Sequence, residues 1–192
     1  PFDYIKKLRA KKVGLNYDRI SLISKSKINK YLKNVRFADV SKKCDELRST
    51  KTAKEIEDLK KSCVFIDKIF NNIINNFNFK TEIKLANKMY SIMRDYGLEE
   101  SFSPIVASSK NSGMAHHNIS KDKIKNGFLV LDFGVKYKNY CSDLTRTLYV
   151  GNPTKKEIED YNLVLDSQLK AINLVKINNK VAEVDKIIRN SL

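Results

Sequence analysis

An aspartate stands near the end of one of the most apolar runs in this chain, Phe128-Leu-Val-Leu-Asp132-Phe133. Burying a carboxylate costs several kcal/mol unless it is paired or coordinates a metal, so Asp132 needs a positive partner. A second aspartate, Asp143, follows beyond a polar stretch and just before another apolar run, Leu144–Val150. Two strands joined by a hairpin that turns at Tyr137-Lys138 would set Asp132 directly opposite Asp143 on the same face. Directly opposed side chains have Cβ atoms about 4.5–5.5 Å apart. Two carboxylates that close repel unless they share a proton or hold a cation between them. The separation suits a two-metal site, whose ions lie about 3.5–4 Å apart. The residues alone leave a merely structural pair equally open.

Periodicity supplies the scaffold. Ile56, Leu59, Cys63, Ile66, Phe70 and Ile73 recur every three or four residues and predict a long amphipathic helix beginning near Thr52. A second helix is expected from Thr81 to about Asp95, with Leu85, Met89 and Ile92 on one face and Gly97 as its stop. Short strands are expected at Pro104–Ala107, Phe128–Phe133 and Leu144–Val150, the last ended by Gly151-Asn152-Pro153. Thr154 and Glu157 form a capping box that opens another helix, and a final helix runs from Val181 to the end. Before Thr52, Val13–Tyr17 and Ile20–Ile23 read as one or two short strands, Ser26–Leu32 as a short helix and Asp39–Leu47 as a joining segment. The order of elements argues an α+β fold with two parts, residues 1–50 and 51–192.

The 192 residues carry 37 Lys+Arg against 22 Asp+Glu, a net charge of +15, which raises the question of nucleic acid. The lysines are scattered in pairs along the whole chain, with no arginine-rich arm and no aromatic-interleaved basic block, so no nucleic-acid partner is expected. No apolar stretch is long enough to span a bilayer, and no membrane partner and a cytoplasmic location are expected. Cys44, Cys63 and Cys141 are scattered and form no CxxC pair, which indicates neither a disulfide framework nor a zinc knuckle; they read as buried or incidental thiols. The chain starts without methionine and ends within an expected helix, which reads as a fragment.

His116 and His117 are the only histidines, and they lie in a polar segment after the Pro104–Ala107 strand. A loop that follows a strand is a common place for catalytic groups, and histidine can ligate metal, donate to an oxyanion or shuttle a proton. On their own, two loop histidines are more often inert, solvent-exposed residues, and the carboxylate pair downstream is what tips the balance. Asp132-Phe-Gly134 also matches the magnesium-binding triplet of protein kinases, but no glycine-rich loop, lysine strand or HRD triplet precedes it.

Taken together, Leu47-Arg-Ser-Thr-Lys51, Phe102–Ser108, Ala115-His-His117, Gly127–Gly134, Tyr140–Thr147, Gly151-Asn-Pro153 and Tyr161 resemble the pita-bread metallopeptidases. Within them the chain is most similar to the Xaa-Pro dipeptidases (prolidases) and Xaa-Pro aminopeptidases. The resemblance implies that residues 1–50 are the end of a creatinase-like N-terminal domain and that residues 51–192 are the first half of the catalytic domain. It implies two divalent metal ions (Mn, Co or Zn) with Asp132 and Asp143 as ligands, and His116 as the catalytic residue that faces the substrate and steadies the tetrahedral intermediate. His117 is implied as a further substrate-binding residue, and Thr145 as a hydroxyl holding an aspartate ligand. The implied reaction is hydrolysis of the Xaa-Pro bond of a peptide with proline at its second position, by a water activated between two metals, in a homodimer. A non-catalytic pita-bread binding protein and a methionine aminopeptidase-like enzyme are the alternatives. The family pattern has five ligands, and its histidine and two glutamates are expected beyond residue 192, so this chain alone is expected to bind metal weakly and hydrolyse little.

Overall fold

The computed structural model describes residues 2–191 and divides into two compact units, Pro1–Glu57 and Asp58–Leu192. In the first, helix α1 (Phe2–Lys7) is followed by strand β1 (Lys12–Leu15), helix α2 (Leu22–Tyr31), strand β2 (Arg36–Asp39) and helix α3 (Ser41–Ser49). β1 and β2 pair in parallel, with Val13 beside Phe37, so α2 is the crossover of a small βαβ unit. This corrects three expectations. Ile20–Ile23 is no strand, because Ser21 caps α2 by accepting from the Ser24 amide and draws Leu22 and Ile23 into the helix. Strand β2 was not anticipated. The presumed joining segment is mostly helix α3, whose entry is fixed by Asp39 accepting from the Ser41 amide at 2.9 Å.

Helix α4 (Ala53–Asn75) contains the unit boundary, and its start is held by a reciprocal pair in which the Thr52 amide donates to Glu55 at 2.6 Å and the Glu55 amide to Thr52 at 3.3 Å. Its buried face is Asp58, Ser62, Ile66, Ile69 and Ile73. Ile56 and Cys63, placed on the stripe by periodicity, are exposed, so the helix is rotated toward a seam that admits two polar residues. Ser62 is there because its hydroxyl donates to the Val135 carbonyl at 2.9 Å. Cys44 is half-buried and Cys141 exposed, so none of the three free thiols is fully buried.

Helix α5 (Glu82–Asp95) matches its expected span and buries Leu85, Met89 and Ile92. Gly97 ends it at φ +68°, and the Leu98 amide turns back to the Met93 carbonyl at 2.9 Å. Strand β3 (Glu99–Glu100) and strand β4 (Ile105–Ser108) follow, then a single 3₁₀ turn over Ser109–Gly113. Strands β5 (Gly127–Phe133), β6 (Val135–Tyr137), β7 (Tyr140–Cys141) and β8 (Leu144–Val150) complete two antiparallel three-stranded sheets, ordered β4-β5-β8 and β3-β6-β7. Helix α6 (Lys155–Leu174) opens with the Thr154/Glu157 capping box, and helix α7 (Val181–Ser191) closes the described chain.

The core of the second unit lies where Ile66, Ile69 and Ile73 of α4 and Leu85, Met89 and Met93 of α5 meet Leu129, Leu131, Phe133 and Val135 of the sheets. Among the described residues, no helix is long and apolar enough to cross a membrane.

Candidate active site

The hairpin expected around Asp132 and Asp143 forms, with a different register. It turns at Lys138-Asn139, both at positive φ (48° and 69°), as a two-residue hairpin loop with the right-handed strand twist requires. The turn therefore comes one residue later than Tyr137-Lys138. Asp132 stands opposite Thr145, and Asp143 is displaced two residues toward the turn. The two carboxylates are diagonal neighbours on one face rather than a directly opposed pair.

Asp143 stays within hydrogen-bond reach of Asp132 across this diagonal, beside a short break in the strands at Ser142-Asp143 through which the register is unchanged. Gly134, between β5 and β6, lets the facing backbone approach closely at that break. A Cβ at Gly134 would run into the Ser142 carbonyl oxygen and the Ser101 hydroxyl. The gap is tied down on both sides: the Ser142 amide donates to the Val135 carbonyl at 2.9 Å, the Ser101 amide to the Gly134 carbonyl at 3.0 Å, and the Ser101 hydroxyl to the Ser142 carbonyl at 2.9 Å.

Loss of solvent pushes the Asp143 carboxyl above the usual aspartate range, and the charge and contact of Asp132 push it further the same way. Across the hairpin, the Thr145 hydroxyl donates to Asp132 Oδ1 at 2.9 Å, using one lone pair and fixing the carboxylate's rotation. The arrangement is two hard oxygen donors with repelling charge, one of them oriented by a neighbour, and that donor chemistry fits a divalent cation. Among the described residues, no cluster of three or more His, Cys, Asp and Glu side chains is placed to hold a metal ion.

The histidines are not gathered beside the aspartates. Their segment leaves β4 after Ser108, which pairs with Leu129, whereas Asp132 pairs with Ile105 at the other end of the strand. His116 is exposed. His117, expected at the substrate, instead turns its ring inward: Nε2 lies 2.8 Å from Glu82 Oε2, and only 9% of its side chain is exposed.

Glu82 is the residue that the sequence reading missed. It sits in the first turn of α5, wholly buried, and accepts from the Ser108 amide, the Asn111 side chain, and both the amide and hydroxyl of Ser120. Burial alone would raise its carboxyl; the hydrogen bonds from Asn111, His117, Ser108 and Ser120 outweigh that and hold it below the usual glutamate range. The only sequence signal was an acidic residue directly after a threonine at a helix start, which ordinarily marks an exposed first turn.

Known proteins are similar to this chain in both sequence and fold. A Xaa-Pro dipeptidase of Pyrococcus horikoshii is 36% identical over 148 residues, covering 76% of this chain and 42% of that protein. The solved structure of an X-Pro aminopeptidase from Thermotoga maritima matches 99% of the chain and 55% of its own length, with a TM-score of 0.91 at 27% identity. That of a Xaa-Pro dipeptidase from Bacillus anthracis matches 98% of the chain and 54% of its own length, with a TM-score of 0.89 at 35% identity. The chain thus spans about half the length of the relatives it matches. The mixed helix and strand architecture is that of the pita-bread enzymes. The model of metallopeptidase family M24 matches residues 57–192, and the chain belongs to that family.

Proposed function

We propose that this chain supplies part of the active site of a longer Xaa-Pro peptidase, which hydrolyses the bond before proline in dipeptides or short peptides. The observation that carries the reading is the Asp132–Asp143 pair, two adjoining carboxylates on one face of the hairpin, with the Asp143 carboxyl raised by loss of solvent and by its neighbour. A binding surface has no physical need for such a pair. Asp132 and Asp143 would hold two divalent ions, with the remaining donors outside residues 1–192. When bound, divalent ions supply Lewis acidity and lower the pKa of water toward neutrality.

The chain's own residues do the rest of what can be derived. Thr145 donates to Asp132 and would hold that carboxylate in one orientation as a ligand. His116, exposed on its loop, would donate to a substrate carbonyl as charge develops there. The names of the relatives support proline at the second position of the substrate. A cytoplasmic homodimer using Mn, Co or Zn is proposed on the family resemblance alone.

The test is hydrolysis of a Xaa-Pro dipeptide and a Xaa-Pro-Xaa tripeptide by the full-length protein, after chelation and again after manganese or cobalt is restored. Metal-dependent cleavage of either peptide is the expected result, and the preferred length separates dipeptidase from aminopeptidase. A folded, metal-loaded protein that cleaves neither peptide overturns the proposal in favour of a non-catalytic binding role.

A further inference from the structure

We infer that Glu82 is a positioning residue for His116, acting through His117 and the ends of the loop that carries both histidines; the inference rests on the reading of His116 as the substrate-facing group. One carboxylate closes this loop. Oε1 accepts from the Ser108 amide and from Asn111 Nδ2, each at 2.9 Å, where the loop leaves β4. Oε2 accepts from the Ser120 hydroxyl at 2.7 Å where the loop returns, and lies 2.8 Å from His117 Nε2 between them. Backbone groups at the start of α5 add to the closure, the Ile83 amide donating to the Ser120 carbonyl at 3.0 Å.

The anchor itself is rigid. Glu82 is 0% exposed, one turn before Leu85 and two before Met89, both also 0% exposed in the core. An exposed loop with few apolar contacts would otherwise sample many conformations. Here the backbone of His116 is fixed by its neighbour's ring and by both loop ends, while its own side chain stays free at the surface. An ionised carboxylate only accepts, so the hydrogen in the 2.8 Å contact sits on His117 Nε2. The tautomer of His117 is thereby a direct report on the anchor. A glutamate that merely stabilised the helix start would have no reason to collect donors from both ends of a loop whose tip carries the candidate catalytic histidine.

The experiment compares Glu82→Gln, His116→Ala and their combination in the full-length, metal-loaded protein, with an Xaa-Pro dipeptide as substrate and nitrogen chemical shifts of His117 as a second readout. Glu82→Gln is expected to lower kcat by about 100-fold, the scale of a small misplacement of a catalytic group, with KM and metal content little changed. It is also expected to shift His117 from the Nε2–H form. The double variant is expected to be no slower than His116→Ala alone, and His117→Gln, which keeps a donor near the same place, to retain more activity than His117→Leu. Losses that multiply in the double variant, or a Glu82→Gln protein with unchanged kcat, overturn the inference while leaving His116 in its role. A His116→Ala protein with unchanged turnover instead overturns the reading of His116 itself. Should Glu82→Gln fail to fold, Ser120→Ala removes one donor at the loop's return, with the same non-additivity expected against His116→Ala.

Discussion

The hydroxyl of Thr145 reaches straight across the hairpin to Asp132 Oδ1, at 2.9 Å, from the position paired with it in the ladder. Thr145→Val keeps the shape and β-branching of the side chain and removes only the donor. Loss of a hydrogen bond that orients a metal ligand costs about 10–100-fold in metal affinity or activity. The expected outcome is a fall of that size in manganese affinity by calorimetric titration, with Thr145→Ser retaining most of the affinity and both variants melting close to the parent.

Asp143→Asn separates stability from function. The carboxyl of Asp143 lies above its usual range in the folded state, so above that range its ionisation disfavours the metal-free fold. The pair is solvent-accessible, and repulsion of this kind is worth only about 0.5 kcal/mol. Metal-free Asp143→Asn is expected to melt slightly higher than the parent at neutral pH, and to lose metal-dependent peptide hydrolysis. A lower melting temperature would show that Asp143 stabilises the hairpin by other means.

The sign is opposite for Glu82. Its carboxyl is depressed in the folded state, so it contributes stability above its ordinary value of 4.5, and that stability is lost as pH falls through the lower folded-state value. Acid denaturation followed by circular dichroism is expected to steepen below about pH 4.5 in the parent and to flatten in Glu82→Gln. At neutral pH the variant is expected to lose about 1–3 kcal/mol, because it leaves buried donors without a charged acceptor.

Gly134→Ala tests the close approach at the break between the strands. The added methyl meets the Ser142 carbonyl and the Ser101 hydroxyl, which are tied to backbone on both sides of the gap and cannot retreat independently. A loss of about 2–4 kcal/mol is expected on overpacking grounds, measured by urea denaturation. The surviving folded fraction should bind manganese more weakly, since Asp143 is displaced with Ser142.

The parts that could be read from the chain are those governed by local periodicity and capping. Leu85, Met89 and Ile92 marked the buried face of α5, and Thr154 with Glu157 marked the start of α6, because both signals are complete within one helical turn or stripe. The hairpin carrying Asp132 and Asp143 was readable as a hairpin, but its register depended on which two residues accept positive φ. Asn139, a residue that tolerates the left-handed region, was the available clue for the later turn. The buried face of α4 was misjudged by one position, because Ser62 earns its place through a hydrogen bond to a residue 73 positions away. Glu82 was out of reach for the same reason: its partners lie 26 to 38 residues along the chain, and nothing local announces a buried carboxylate.

The two aspartates differ in how their backbone is held. Asp132 belongs to β5, which is flanked by β4 and β8 and so has a paired strand on each side, whereas Asp143 lies in the unpaired step between β7 and β8. Asp143 is nonetheless tethered through Ser142, whose amide and carbonyl both carry hydrogen bonds. The backbone therefore sets the spacing of the two carboxylates, and a cation held between them would have to match that spacing.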